Sequence, residues 1–208
     1  MEREIRAFKL TELRIDAQGD KPPCIYGYSA VFDQLSEDLG GFREKIAQGA
    51  FTKTIQTADV RALFNHDPNY VLGRCKSGTL SLEEDSVGLR IENTPPDTQW
   101  ARDLLVTMRR GDVDQMSFAF ETVRDSWEQD KTTGTVTRTL LECNLMDVSP
   151  VTFPAYPKTS AAVRSKLSEF QQPTPAGQAA PPVPDIADAQ IRIRGMRRQL
   201  ELADRSIV

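Results

Sequence analysis

The chain contains a single histidine, and that scarcity removes more chemistry than any other feature of the sequence. Metal sites built from several imidazoles are excluded. No HExxH, EF-hand loop, Walker loop or GxGxxG run is present either, so metal and nucleotide chemistry have no support and no cofactor is called for. Cysteine is also sparse. Cys24, Cys75 and Cys143 are odd in number, far apart and form no CxxC pair, which argues against a disulfide framework or zinc knuckle and for reduced, mostly buried thiols. No run of about 20 apolar residues exists to cross a membrane. The first ten residues, MEREIRAFKL, are charged where a signal peptide would be apolar, so the chain is expected to remain in the cytosol in which it is made. An excess of basic residues is missing as well. With 26 Lys and Arg against 30 Asp and Glu, net charge -4, free nucleic acid is not expected as a primary ligand.

What is present divides into three stretches. Residues 171–185, QQPTPAGQAAPPVPD, hold five prolines and almost nothing large and apolar, so they read as an extended Pro/Ala-rich linker. Beyond it, residues 186–208 place Ile186, Ile193 and Leu200 seven apart, with Ala189, Met196 and Ala203 at the second heptad position. That pattern describes a short amphipathic helix interrupted by Gly195. Five arginines make it locally basic: Arg192, Arg194, Arg197, Arg198 and Arg205. They form either a solvated charged face or a helix that docks into a larger assembly.

Residues 1–170 read as one domain of α+β type, mainly strands with two or three helices. Alternation or apolar runs bounded by turn residues mark strands at 24–32, 60–65, 78–85, 87–93, 115–123, 134–146 and 147–153. About seven short strands suggest a mixed barrel or a sandwich. A helix is expected after Asp97 or Thr98, with Ala101, Leu104, Leu105 and Met108 on one face and Gly111 just past its end. A second is expected from residue 49 or 50 to 57, and a third over 160–170.

His66 ends an apolar run at Asn65-His66-Asp67-Pro68, at a strand end beside a turn. A lone imidazole does chemistry only with a partner. Most serines lie in polar loops, but Ser117 is set among Met116, Phe118 and Phe120 directly after the expected helix. It is either the outward-facing residue of an alternating strand or a nucleophile placed by one. The absence of GxSxG argues against an α/β-hydrolase. A serine nucleophile needs a base and a third group fixing the imidazole. Asp147 and Glu142 both lie in apolar strand surroundings, where a bare carboxylate is costly, and position alone does not separate them. Cys143 offers a cysteine-peptidase alternative with the same base.

The order and wording of five segments, GFREKIAQGAF, LFNHDPNYVLGR, GTLSLEEDSVGLRIENTPPDT, GDVDQMSFAF and DVSPVTFPAYP, closely resemble the prohead (capsid maturation) serine proteases of tailed double-stranded DNA phages. The resemblance spans roughly residues 5–165. That family looks like a distant relative of the herpesvirus assembly protease. The resemblance therefore implies a mainly antiparallel β-barrel of about seven strands ringed by helices, and a chain order of His, Ser, then a third member. Carried over by position, those roles fall on His66, Ser117 and Asp147. Family members often have Glu at the last position, one methylene longer than Asp147. The analogy places oxyanion donors near Ala155 and Tyr156. It implies as substrate the scaffolding segment of the major capsid protein, cut inside the procapsid in the host cytoplasm, together with self-cleavage. It also implies a homo-oligomer, since related viral proteases are activated by dimerisation, and no membrane partner. A non-enzymatic capsid-associated or scaffolding protein is the rival reading. On the protease reading residues 186–205 recruit the enzyme into the shell and are removed by self-cleavage in the linker. Deleting residues 171–208 is accordingly expected to abolish packaging while leaving cleavage of a co-expressed capsid protein largely intact; packaging of the truncated chain, scored in purified particles, would sink the recruiting role.

Overall fold

The computed structural model describes residues 2–9, 14–16 and 22–153, and then Val163 and residues 165–168. Among the described residues, ten strands and two helices run in chain order as β1 (Arg3–Lys9), β2 (Arg14–Asp16), β3 (Cys24–Val31), β4 (Arg43–Ile46), α1 (Thr52–Thr57), β5 (Arg61–Phe64), β6 (Asp67–Arg74), β7 (Leu80–Glu84), β8 (Gly88–Asn93), α2 (Gln99–Arg110), β9 (Gln115–Gln129) and β10 (Val136–Val151). The described residues are thus mixed α+β, with far more strand than helix. Ten strands are found where seven were expected, and they form two sheets. One has the order β1-β9-β10-β5-β6 with β4 also on β10; the other has the order β2-β3-β8-β7.

The expected strand pair 134–146 and 147–153 is one strand, β10. Nothing in it breaks the ladder: three irregularities in its pairing with β9 are absorbed as bulges. Pro150 turns its carbonyl toward the backbone N–H of Asn65, 3.0 Å away, on the edge where β5 has already ended, so its missing N–H removes no rung shared with β9. Six of the eight strand pairings among the described residues are antiparallel, in line with the mainly antiparallel expectation, and two are not. β4 and β5 both pair with β10 in parallel, β4 at residues 137–140 and β5 at 147–148. Between these two docking points the free edge of β10 is covered by α1 and the turn before it. The Cys143 N–H bonds Ala50 O at 2.9 Å, and the Leu145 N–H bonds the buried Thr54 Oγ1 at 2.9 Å. A six-residue helix with no side-chain cap is worth keeping because it satisfies a strand edge.

Helix α2 lies as expected. Ala101, Leu104, Leu105 and Met108 are buried, and Gly111 ends it at φ +80°, the left-handed cap conformation that glycine adopts without a Cβ penalty. The main core includes Leu104, Leu105 and Met108 with Phe32, Phe51, Leu72, Leu89, Ile91, Met116, Phe118, Phe120, Leu140 and Val148. Of the third expected helix, the described residues 163 and 165–168 are helical, and Val163 and Leu167 pack with Leu39, Phe42 and Val136. The linker 171–185 and the tail 186–208 lie outside the described residues.

Four strands that the sequence pattern did not reveal include β1, and its concealment has a physical cause. Glu4 and Arg6 occupy its inward positions and are 4% and 5% exposed. They meet Arg138 of β10, 1% exposed, and Glu44 of β4. Arg138 donates to Glu4 Oε2 at 2.7 Å, Glu44 Oε2 at 2.9 Å, Asp125 Oδ2 at 2.9 Å and Thr122 Oγ1 at 2.8 Å. Arg6 bonds Glu44 Oε1 at 2.6 Å and Glu4 Oε2 at 2.8 Å. Two guanidinium groups thus face three carboxylates, and the ammonium of Lys166, 2.9 Å from Asp125 Oδ1, balances the third. Burial alone would push the carboxyls of Glu4 and Asp125 up, but Arg138 (with Lys166 at Asp125, and Arg6 at Glu4) holds both below their ordinary values of 4.5 and 3.8.

Breaking such a network by removing one member leaves buried charge uncompensated, so Arg138→Ala is expected to destabilise the fold by about 3–5 kcal/mol in urea denaturation; a loss under about 1 kcal/mol would contradict the role given to it. The carboxyls with depressed folded values give stability that is present above about pH 4.5 and is lost as pH falls through the folded values. The thermal midpoint of the wild type is therefore expected to drop on acidification below pH 4.5, and to drop less in Glu4→Gln.

Candidate active site

Three strands deliver three polar side chains to one place. Ser117 lies on β9 between Met116 and Phe118, which face the core, so alternation turns its hydroxyl to the opposite face of the sheet. Its pairing neighbours are Ala7 on β1 and Ser149 on β10. Asp147 reaches the same face because of a bulge. Cys143 and Leu145 point into the core before it and Val148 after it, so the irregularity between Leu145 and Asp147 shifts the phase of the alternation and frees Asp147 and Ser149 for the other side.

His66 arrives from a hairpin tip. Phe64 of β5 pairs with Asp67 of β6, leaving Asn65 and His66 as a two-residue turn with φ of +53° and +58°. Both residues in the left-handed region make the type I′ geometry that matches strand twist. Asparagine tolerates that conformation; histidine holds it at a cost of about 1–2 kcal/mol. The tip is fastened to the end of β10 by Asn65. Its backbone N–H bonds Pro150 O at 3.0 Å, its side-chain oxygen accepts from the Thr152 N–H at 2.9 Å, and its amide nitrogen donates to Thr152 Oγ1 at 3.2 Å.

His66 thereby bridges the other two side chains. Nδ1 is 2.5 Å from Asp147 Oδ1 and Nε2 is 2.7 Å from Ser117 Oγ. A carboxylate can only accept, so Nδ1 carries hydrogen, and in a neutral ring Nε2 is left as an acceptor aimed at the serine hydroxyl. Asp147 is 4% exposed, yet its charge is well met: Ser149 Oγ donates to Oδ1 at 2.8 Å and Arg3 Nη2 to Oδ2 at 2.9 Å. Ser117 has no exposed surface, and its hydroxyl also lies 2.8 Å from the carbonyl of Arg6. A cavity of about 410 Å³ opens on the Asp147 side of the ring, lined among others by Arg3, Arg61, Leu63, Pro68, His66 and Asp147.

The alternatives left open by the sequence part here. Glu142 pairs with Lys53, 2.9 Å away at the surface, while Asp147 meets the imidazole. Cys143 is buried in the core, and burial, followed by the charge of Glu44, pushes its thiol up, the opposite of what a thiolate nucleophile needs. The oxyanion donors expected near Ala155 and Tyr156 lie outside the described residues. Four polar groups were not anticipated: Ser149, Asn65, Thr152 and Arg3. Ser149 was legible, two residues beyond Asp147 on an alternating strand. Arg3 was not, since 144 positions separate it from Asp147.

A buried hydroxyl, imidazole and carboxylate in hydrogen-bonded file define a Ser–His–Asp array of the kind acyl-transfer hydrolases use. The family model of the caudovirus prohead serine proteases matches residues 9–173, and the chain belongs to that family. The prohead protease of Enterobacteria phage HK97 is 29% identical over 169 residues, covering 79% of this chain and 70% of its own. Among solved structures, the bacteriophage T4 capsid assembly protease aligns with a TM-score of 0.41 at 12% identity, over 74% of this chain and 100% of that one.

Asn65 supports His66 through three hydrogen bonds and tolerates φ +53°, and alanine supplies neither the side-chain bonds nor that tolerance. Asn65→Ala is expected to destabilise the protein by about 1–3 kcal/mol in chemical denaturation, and Asn65→Asp by less, because Asp keeps the acceptor for Thr152. Equal stability of all three chains would show that the clamp holds nothing.

Proposed function

We propose that this protein is a serine endopeptidase of phage capsid maturation, in which Ser117 is the nucleophile, His66 the general base and Asp147 the residue that orients and stabilises the imidazole. The observation that carries the reading is the bridging position of His66, 2.7 Å from Ser117 Oγ and 2.5 Å from Asp147 Oδ1. His66 Nε2 takes the hydroxyl proton as Ser117 Oγ attacks the scissile carbonyl. The resulting imidazolium is held by Asp147 through Nδ1–H and gives its Nε2 proton to the leaving amine. Water then repeats the sequence on the acyl-enzyme. Family membership supports the protease activity and its place in the procapsid of a phage. The substrate in this reading is the scaffolding segment of the major capsid protein, with self-cleavage as a second reaction. The processing takes place inside the assembling shell in the host cytoplasm. The distant herpesvirus relationship, with its barrel fold and activation through a homo-oligomer, belongs to the same proposal.

Burial adds a condition. A hydroxyl with no exposed surface cannot meet a peptide carbonyl, so the arrangement described is a closed one and the site must open for substrate.

Co-expression with the phage's major capsid protein, read by intact mass, tests activity, substrate and self-cleavage together. Ser117→Ala and His66→Ala are expected to abolish processing, a fall of about 10⁴-fold or more. No second histidine exists to rescue the latter. Cys143→Ser is expected to retain cleavage, and Glu142→Gln to stay within about twofold of wild type while Asp147→Asn falls by orders of magnitude. Full processing by His66→Ala would refute the reading.

A further inference from the structure

We propose that Arg3 is a positioning residue for this site, holding the orientation of Asp147 from the side opposite His66. The inference rests on the reading of Ser117, His66 and Asp147 given above. A carboxylate turns about its last bond, and the base is useful only if one oxygen stays on the Nδ1–H line. Asp147 Oδ1 is fixed by His66 at 2.5 Å and Ser149 at 2.8 Å, both of which would follow a small rotation. Arg3 Nη2, 2.9 Å from Oδ2, supplies the bond that resists it. A charge-assisted bond of this kind is shorter and stronger than a neutral one and directional as well.

Two features separate this from a role in holding the fold. Arg3 is 43% exposed in its side chain, and its strand is anchored independently by Glu4 and Arg6 in the buried ion network and by the ladder to β9. Arg3 also lines the 410 Å³ cavity with Asp147, so the space left by truncating it is continuous with one large enough for a small cation.

The test uses the full-length chain and a peptide spanning a cleavage site mapped in the capsid protein. Arg3→Ala is expected to lower kcat by about 10- to 100-fold with KM and thermal midpoint little changed, the loss appropriate to one charged hydrogen bond. Arg3→Lys should recover much of it, and millimolar guanidinium should partly restore Arg3→Ala but not Ser117→Ala. Wild-type kcat in Arg3→Ala would overturn the proposal. So would a loss that neither lysine nor guanidinium repairs and that comes with a lowered midpoint, since Arg3 would then be serving the fold. Cleavage by Ser117→Ala would instead overturn the nucleophile assignment on which the role of Arg3 depends.

Discussion

The charges buried around Arg138 set the position of the strands that matter. One guanidinium joins β1 through Glu4, β4 through Glu44 and β9 through Asp125 and Thr122, while itself belonging to β10. Such a cluster is expensive to desolvate, and well-packed apolar side chains of similar volume would stabilise the fold as well or better. What it supplies is register. An apolar strand can slip by two residues and still bury apolar surface, whereas a slip of β1 would strand Glu4 and Arg6 in the interior without partners. β1 is an edge strand of its sheet, held in the ladder from one side only, so it is the strand with most need of such a lock.

That lock matters to the site because β1 has two faces. Its inward face carries Glu4 and Arg6; its other face carries Arg3, and the Arg6 carbonyl lies along its edge beside Ser117. Fixing the first face by ion pairs fixes the second to within the tolerance of a hydrogen bond. β9 and β10 work the same way. Met116, Phe118 and Val148 fill the core, and the positions beside them that face the other way are Ser117, Asp147 and Ser149. The site is thus the reverse side of packed strands, and it inherits their rigidity. His66 alone comes from a turn, and it is the residue whose backbone is strained and whose neighbour Asn65 is clamped.

How much of this could be read from the sequence follows from the range of the interactions. Local periodicity located α2, its Gly111 stop and the strands from β3 onward that alternate or run apolar, because their partners are water on one side and core on the other. Periodicity failed at β1, where charges face inward, and at β6, whose DPNYVLGR is largely exposed and carries a proline. It also mistook one bulged strand for two. His66, Ser117 and Asp147 were named by their order and by resemblance to the phage proteases. Residue types alone left Asp147 and Glu142 equal, since the bulge that turns one toward His66 and leaves the other to Lys53 has no signature in them. Arg138 reads as a surface charge in a Thr-rich strand and is the bulkiest fully buried side chain among the described residues.

The hydroxyl of Ser117 has one proton and two acceptors within reach, His66 Nε2 at 2.7 Å and the Arg6 carbonyl at 2.8 Å. With the ring neutral, Nδ1–H is committed to Asp147 and the hydroxyl proton points to Nε2, the arrangement from which the proposed mechanism would start. With the ring protonated, Nε2–H donates to Oγ and the hydroxyl proton turns to the Arg6 carbonyl, so every polar atom remains satisfied. The strand edge therefore gives the closed site a resting geometry in either charge state without water. In the proposed mechanism the imidazolium state is also the one formed transiently after attack, when Oγ would have become an ester oxygen and the proton on Nε2 would pass to the leaving amine. At that step Oγ no longer carries a proton for Arg6 to accept, and the carbonyl is left facing a lone pair.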